Sequence, residues 1–188
     1  MLAAADELLQ REGMAGFTME GVAALSGASK VTLYKWWATK GVLALEAYSA
    51  SVNHILSMPD TGDIEADVLA HLKTFVGLLR DTAAGKVTAE LLGAAQTDPE
   101  MAAAFRRIYL EPRRSIGIRA LRAAQERRQI RVDIDLEVVS DQLWGACMYR
   151  LLTGWQPLDD AFAGRLVTNV MCGIKPGNGR TLPPAPER

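Results

Sequence analysis

Apolar residues recur at three- and four-residue spacing along most of the chain, a period that predicts helices. Leu2, Ala5, Leu8 and Leu9 share one face of a first helix over about 2–12, which Gly13 stops. A second helix is predicted over about 18–25 with Thr18 as N-cap, and Gly27 sits in the turn that follows. A third starts at the N-cap candidate Ser29 and runs to about Trp36, and a fourth runs from near Thr39 to about Ser57. The segment Met58-Pro-Asp-Thr-Gly62 breaks the pattern. Beyond it, helices are predicted over about 63–83, 87–95, 99–110, 112–128, 135–154 and 158–173. Asp98-Pro99-Glu100 combines an N-cap acid, a proline at the first helical position and an acid in the first turn. Pro112 is expected to close one helix and open the next. β-branched alternation is scarce and no internal repeat is present, so the fold class is all-α.

The expected organisation is a helix-turn-helix domain at 1–57, a helical-bundle domain at 63–173, and a tail at 174–188. The tail carries Pro176, Gly177, Gly179, Pro183, Pro184 and Pro186 and is expected to be disordered.

Composition changes this picture little. With 188 residues, 49% of them hydrophobic, the chain can bury a core without disulfides or metal. Cys147 and Cys172 lie far apart, which reads as two reduced thiols in a cytoplasmic protein. His54 and His71 lack the Glu three residues earlier that a Glu-x-x-His metal motif needs; Ser51 and Val68 stand there. Both histidines read as solvated or hydrogen-bonded, and no metal or cofactor is implied. A Gly-rich phosphate loop, a Gly-x-Ser-x-Gly elbow and a Cys/His pair with an orienting acid are all missing, so no enzyme is expected. No apolar run is long enough to span a bilayer, and Asp6, Glu7 and Glu12 argue against a secretory segment.

Charge at first argues against nucleic acid: 21 Lys and Arg against 22 Asp and Glu give a net charge of −1. Its distribution does not. Ser26 to Gly41 holds Lys30, Lys35 and Lys40 and no acid, while Asp6, Glu7, Glu12, Glu20 and Glu46 lie outside that stretch. Two short helices joined by a Gly-containing turn make a helix-turn-helix, whose second helix can lie in a DNA major groove. Val22, Leu25, Val31 and Leu33 are candidates for the contact between the two helices.

The string V-A-A-L-S-G-A-S-K-V-T-L-Y-K-W-W-A-T-K, residues 22–40, resembles the DNA-binding domain of the tetracycline-repressor family of bacterial transcription regulators. The resemblance covers about residues 4–43 and implies an all-helical homodimer that represses transcription until a small ligand binds. It implies that Lys30 and Thr32 face the groove, flanked by Ser29 and Val31. Tyr34 and Lys40 would meet phosphates, Thr18 would add one from a helix N-terminus, and Lys35 and Trp36 would touch bases or backbone. Trp37 takes the place of the usual Phe and is expected to pack inward. Two departures stand out. Family members carry a basic segment before helix 1, and this sequence opens inside that helix. Val31 replaces a common Gly, which narrows the approach to the bases.

Residues 87–173 resemble a C-terminal domain of one branch of the family, through L-L-G-A-A-Q-T-D-P-E-M-A-A-A-F-R-R, L-E-P-R-R and M-Y-R-L-L-T-G-W-Q-P-L-D-D-A-F. Helix 135–154 is apolar on more than one face. The dimer-interface candidates are Leu143, Cys147, Leu151, Phe162, Leu166 and Val170. Candidates for a pocket taking an apolar or aromatic ligand are Phe75, Leu79, Met101, Phe105, Tyr109, Trp144 and Met148; plain core is the alternative for each. Nine arginines between Phe105 and Arg131 face only Glu111 and Glu126 within that run. They read either as a nucleic-acid patch or, preferably, as a solvated face balanced by Asp133, Asp135, Glu137 and Asp141. The rival to a DNA-binding regulator is a helical small-molecule-binding protein with lost or weak DNA affinity.

Overall fold

The computed structural model describes residues 1–53, 55 and 57–177. The reading of His54 and most of the predicted tail lie outside the described residues. The described elements are α1 (Leu2–Gly16), α2 (Met19–Ser26), α3 (Lys30–Trp36), α4 (Lys40–Val52), α5 (Ile64–Asp81), α6 (Ala84–Thr97), α7 (Pro99–Ala104), α8 (Glu111–Glu126), α9 (Leu136–Ser140), α10 (Ala146–Thr153) and α11 (Asp160–Ile174). A π-helical turn, Phe105–Leu110, joins α7 to α8, and a second, Asp141–Gly145, joins α9 to α10.

Side-chain caps start the helices where short polar residues precede apolar runs. Thr18 accepts from the Gly21 N–H, Ser29 from Thr32, Asp98 from Glu100 and Met101, and Asp159 from Phe162. Two predicted boundaries move. α4 ends at Val52 rather than near Ser57. Pro112 neither closes nor opens a helix: it lies in the first turn of α8, which continues directly from the π turn. A proline offers no N–H to the carbonyl four residues back, here Ile108. The Ser49 hydroxyl donates to that carbonyl at 3.0 Å, and the wider π register gives the ring room.

The chain forms two compact units that do not follow chain order. One comprises Met1–Leu56 with Asp81–Arg113, the other Ser57–Arg80 with Arg114–Arg188.

In the first unit α4 is central. It buries Leu43, Ala44, Leu45, Ala47, Tyr48 and Val52, more than one face, and packs against α1, α6, α7 and the first π turn. α1 breaks at Gly13, whose φ of +66° and ψ of −177° leave the helix in a conformation that favours glycine. The Met14 N–H freed by the break donates to a Glu90 carboxylate oxygen of α6 at 2.8 Å. Lys40 Nζ donates to the carbonyls of Phe17 at 3.0 Å and Met14 at 3.4 Å, closing the C-terminal end of α1.

In the second unit α5 buries Ile64, Val68, Leu72, Phe75, Val76 and Leu79 on one stripe. The buried His71 has Nδ1 3.3 Å from the Ser57 carbonyl oxygen and meets Trp144 edge-on. Burial pushes the His71 pKa down. Arg114 ties α8 to the next helical stretch, reaching Glu137 at 2.6 Å and Asp141 at 2.5 Å. Arg131 pairs with Asp133 at 2.6 Å and Arg127 with Asp60 at 2.9 Å. Among the described residues, three of the nine arginines thus meet acids, two of them acids that the balanced-face reading names and Arg127 one that it does not.

Candidate nucleic-acid interface

α2 and α3 meet through Val22 and Leu33, both fully buried. Leu25 and Val31, also expected in that contact, are exposed instead. Val31 lies two residues before Leu33, about 160° round α3 from it, and so faces away from α2. Gly27 makes the turn between them with a φ of +68°, which favours glycine.

α3 carries large side chains that folding leaves in solvent. Val31 is 81% exposed, Tyr34 55% and Trp36 68%. Lys30 and Lys35 lie on the same short helix and are also exposed. Trp37 packs inward, as expected, and its indole Nε1 donates to Glu46 at 2.9 Å.

Several polar candidates already have partners. The Ser29 and Thr32 hydroxyls share a hydrogen bond of 2.8 Å. Thr18 caps α2, and Lys40 closes α1. Lys30 Nζ is held 3.0 Å from Glu20, an ion pair that raises the lysine pKa and lowers that of the carboxylate. Glu20 is the residue that sequence left unassigned. Counting charge along the chain placed it outside the basic segment, and only folding α2 against α3 brings it beside Lys30. A pair ten residues apart carries no helical-spacing signal.

Residues 1–47 match the family model for bacterial regulatory proteins of the tetR family, and residues 58–170 match the tetracyclin repressor-like C-terminal domain. The chain belongs to the TetR family. It is a ligand-responsive, DNA-binding transcriptional regulator. It is 36% identical over 184 residues to the DNA-binding transcriptional repressor TetR of Mycobacteroides abscessus, covering 94% of this chain and 93% of the relative. It is 30% identical over 175 residues to an HTH-type transcriptional regulator, YdeS, of Bacillus subtilis, covering 93% and 88%. Among solved structures it resembles the TetR family transcription regulator SCO0332, with a TM-score of 0.86 and 50% identity over 93% of this chain and 96% of the other.

The ligand candidates of this TetR-family chain fall in both units. Met101, Phe105 and Tyr109 belong to the first; Phe75, Leu79, Trp144 and Met148 belong to the second. Phe75, Leu79, Met101, Phe105 and Tyr109 are buried, and Trp144 and Met148 are half-buried. Phe105 stacks on Tyr109 with centroids 4.9 Å apart, and Tyr109 stacks on Tyr48 at 5.8 Å.

The dimer-interface candidates differ in exposure within the single chain. Leu143 and Cys147 have no exposed surface in the single chain, and Phe162 and Val170 are also buried. Leu143 and Cys147, four residues apart, share the face that turns into the chain's own core. Burial pushes the Cys147 thiol up to about 12, so it serves as a small apolar residue. Leu151 and Leu166 are half-buried. Between 136 and 155 the large apolar side chains left outside are Val138, Tyr149, Leu152 and Trp155. Two surface grooves flank them. One of about 510 Å³ runs along Gln142, Gly145, Tyr149 and Trp155, and one of about 550 Å³ along Val138, Gln142, Leu166, Asn169 and Gly173.

Among the described residues no three His, Cys, Asp or Glu side chains gather to hold a metal ion, and no helix is long and apolar enough to cross a membrane.

Proposed function

We propose that α3 reads operator DNA in the major groove. Val31, Lys30 and Thr32 sit nearest the bases, and Lys35 and Trp36 contact bases or backbone. Ser29 orients the start of the helix. Thr18, Tyr34 and Lys40 bind phosphates. The observation that carries this reading is the exposed Val31, Tyr34 and Trp36 beside lysines on one short helix. Three large side chains in water serve no folding purpose and are the apolar and stacking groups that DNA accommodates. Lys30 is held by Glu20 in the free protein, and transfer of its ammonium to DNA accompanies binding.

A single seven-residue helix reads few base pairs, so we read the protein as a homodimer on two half-sites. The exposed Val138, Tyr149 and Leu152, with the half-buried Leu151 and Leu166, form its contact. The functional division is 1–57 for DNA and 63–173 for ligand and partner. A small apolar ligand in the helical bundle releases the operator by shifting the population to a form that no longer fits it. We assign the chain no catalytic activity and place it in the cytoplasm.

Selection from a random duplex library tests the reading. The expected product is a two-fold symmetric site with half-sites one helical turn, or a multiple, apart. Absence of any enriched sequence would leave the small-molecule-binding alternative in its place.

A further inference from the structure

Arg113 is the one arginine of the basic run whose guanidinium lies over an aromatic ring in the first unit, 3.8 Å from the Tyr109 centroid. Its Nη1 donates to the Tyr109 carbonyl at 2.9 Å and to the Ser49 hydroxyl at 3.3 Å. Its Nε and Nη2 are buried without a hydrogen-bond partner, and so is the Tyr109 hydroxyl. Among the described residues no carboxylate pairs with Arg113. A half-buried cation with two buried, orphaned donors is a costly arrangement, and native proteins keep such groups satisfied.

The identity of the orphaned atoms is informative. Nε–H and the adjacent Nη2–H point the same way along one edge of the planar guanidinium. That edge is the fork that grips the two oxygens of a carboxylate in parallel hydrogen bonds. Nη1, the nitrogen off that edge, is the one the protein satisfies itself. The Tyr109 hydroxyl, on a neighbouring side chain, has among the described residues only Tyr48 close to it. On the same helical stretch Tyr109, Phe105 and Met101 precede Arg113 at four-residue steps and are all buried. The stretch therefore offers a charged end and an apolar run of about three residues.

We propose that the Nε/Nη2 edge of Arg113, with the Tyr109 hydroxyl, binds the carboxylate of an apolar monocarboxylic acid, whose body lies along Tyr109, Phe105 and Met101. This deepens the ligand-responsive reading given above and rests on it for the consequence that follows. Tyr48 of α4 stacks on Tyr109, and Ser49 of α4 bonds both Arg113 and Ile108. The occupant enters by parting α4 from this face. α4 directly follows the α3 helix, so occupancy acts on the element that carries the DNA reader.

Calorimetry on the full chain tests the site, with benzoate and octanoate as probes and benzamide and octanamide as uncharged controls. The expected result is carboxylate binding at least about tenfold tighter than the matched amide, the difference that about 1.4 kcal/mol makes. Arg113→Lys keeps the charge but removes the fork, and should weaken the carboxylates about tenfold with little change for the amides. Tyr109→Phe keeps the ring stack and should weaken them less, and it carries the test should Arg113→Lys fail to fold. Equal binding of acid and amide overturns the proposal. So does absence of carboxylate binding at millimolar concentration, the outcome if ordered water alone fills the edge. Release of the selected duplex is measured in parallel. Release by the amides alone overturns the carboxylate site while the ligand-responsive reading stands; carboxylate binding without release keeps the site and removes its role as effector site.

Discussion

Ser49→Ala should loosen the grip of α4 on the first π turn. The Ser49 hydroxyl is buried and donates to the Ile108 carbonyl at 3.0 Å, the carbonyl to which Pro112 offers no N–H. Removing it leaves a buried acceptor short of a partner, a loss of about 1–3 kcal/mol. The Arg113 Nη1 contact to the same oxygen is longer, at 3.3 Å, and adds little. A central value of about 2 kcal/mol in a chain of this length lowers Tm by about 4–8 °C. The assay is thermal unfolding by circular dichroism at one fixed protein concentration, because Tm of the proposed dimer would depend on it. The decisive comparison is the same change in a Pro112→Ala background. Alanine restores a backbone N–H at position 112, so the loss caused by Ser49→Ala should shrink to less than half there. An equal loss in both backgrounds, or a loss below about 1 °C in the wild-type chain, would refute the account of how the proline is accommodated.

Lys40→Ala should weaken binding to all duplexes alike and lower the salt slope by about 1; an unchanged slope would remove Lys40 from the phosphate contacts and leave only its hold on α1. Glu20→Gln frees Lys30 and removes a negative charge beside the DNA, so non-specific binding should tighten and its salt slope steepen; anisotropy titrations that show no change would mean the ion pair has no part in binding. Tyr149→Asp with Leu152→Asp should give monomers by sedimentation, and an intact dimer would show that this face is not the contact. His71 has a lowered folded pKa, so the unfolded chain binds the extra proton first as pH falls below the ordinary 6.5, and the stability tied to the neutral ring is lost on acidification. His71→Gln should flatten that part of the Tm-versus-pH curve; an identical slope in the variant would contradict it.

Much of this was legible in the sequence because it rests on local chemistry. Thr18, Ser29 and Asp98 announce helix starts by residue type alone, and the structure shows each capping its helix. The inward Trp37 was legible through the resemblance, in which it takes the place of a Phe, and Trp36 beside it cannot share its face. Three features needed the tertiary fold. The partnership of Glu20 with Lys30 depends on how α2 crosses α3. That Leu143 and Cys147 face the chain's own core depends on what packs over them, and an apolar stripe reads the same for core and for dimer contact. Pro112 reads as a helix boundary because its missing N–H normally costs a helix dearly, and the compensating Ser49 lies 59 residues away from Ile108.

The interleaving of the two compact units bears on how such proteins can be recombined. The first unit draws on Met1–Leu56 and Asp81–Arg113, so the chain passes between units three times. A DNA-reading head excised at the end of α4 would leave Tyr48 without Tyr109 and Thr88, and Met14 without Glu90. Chimeras that exchange operator specificity between relatives should therefore graft both segments together, or change the outward residues of α3 in place. Single-crossover swaps inherit an α4 fitted to someone else's helices.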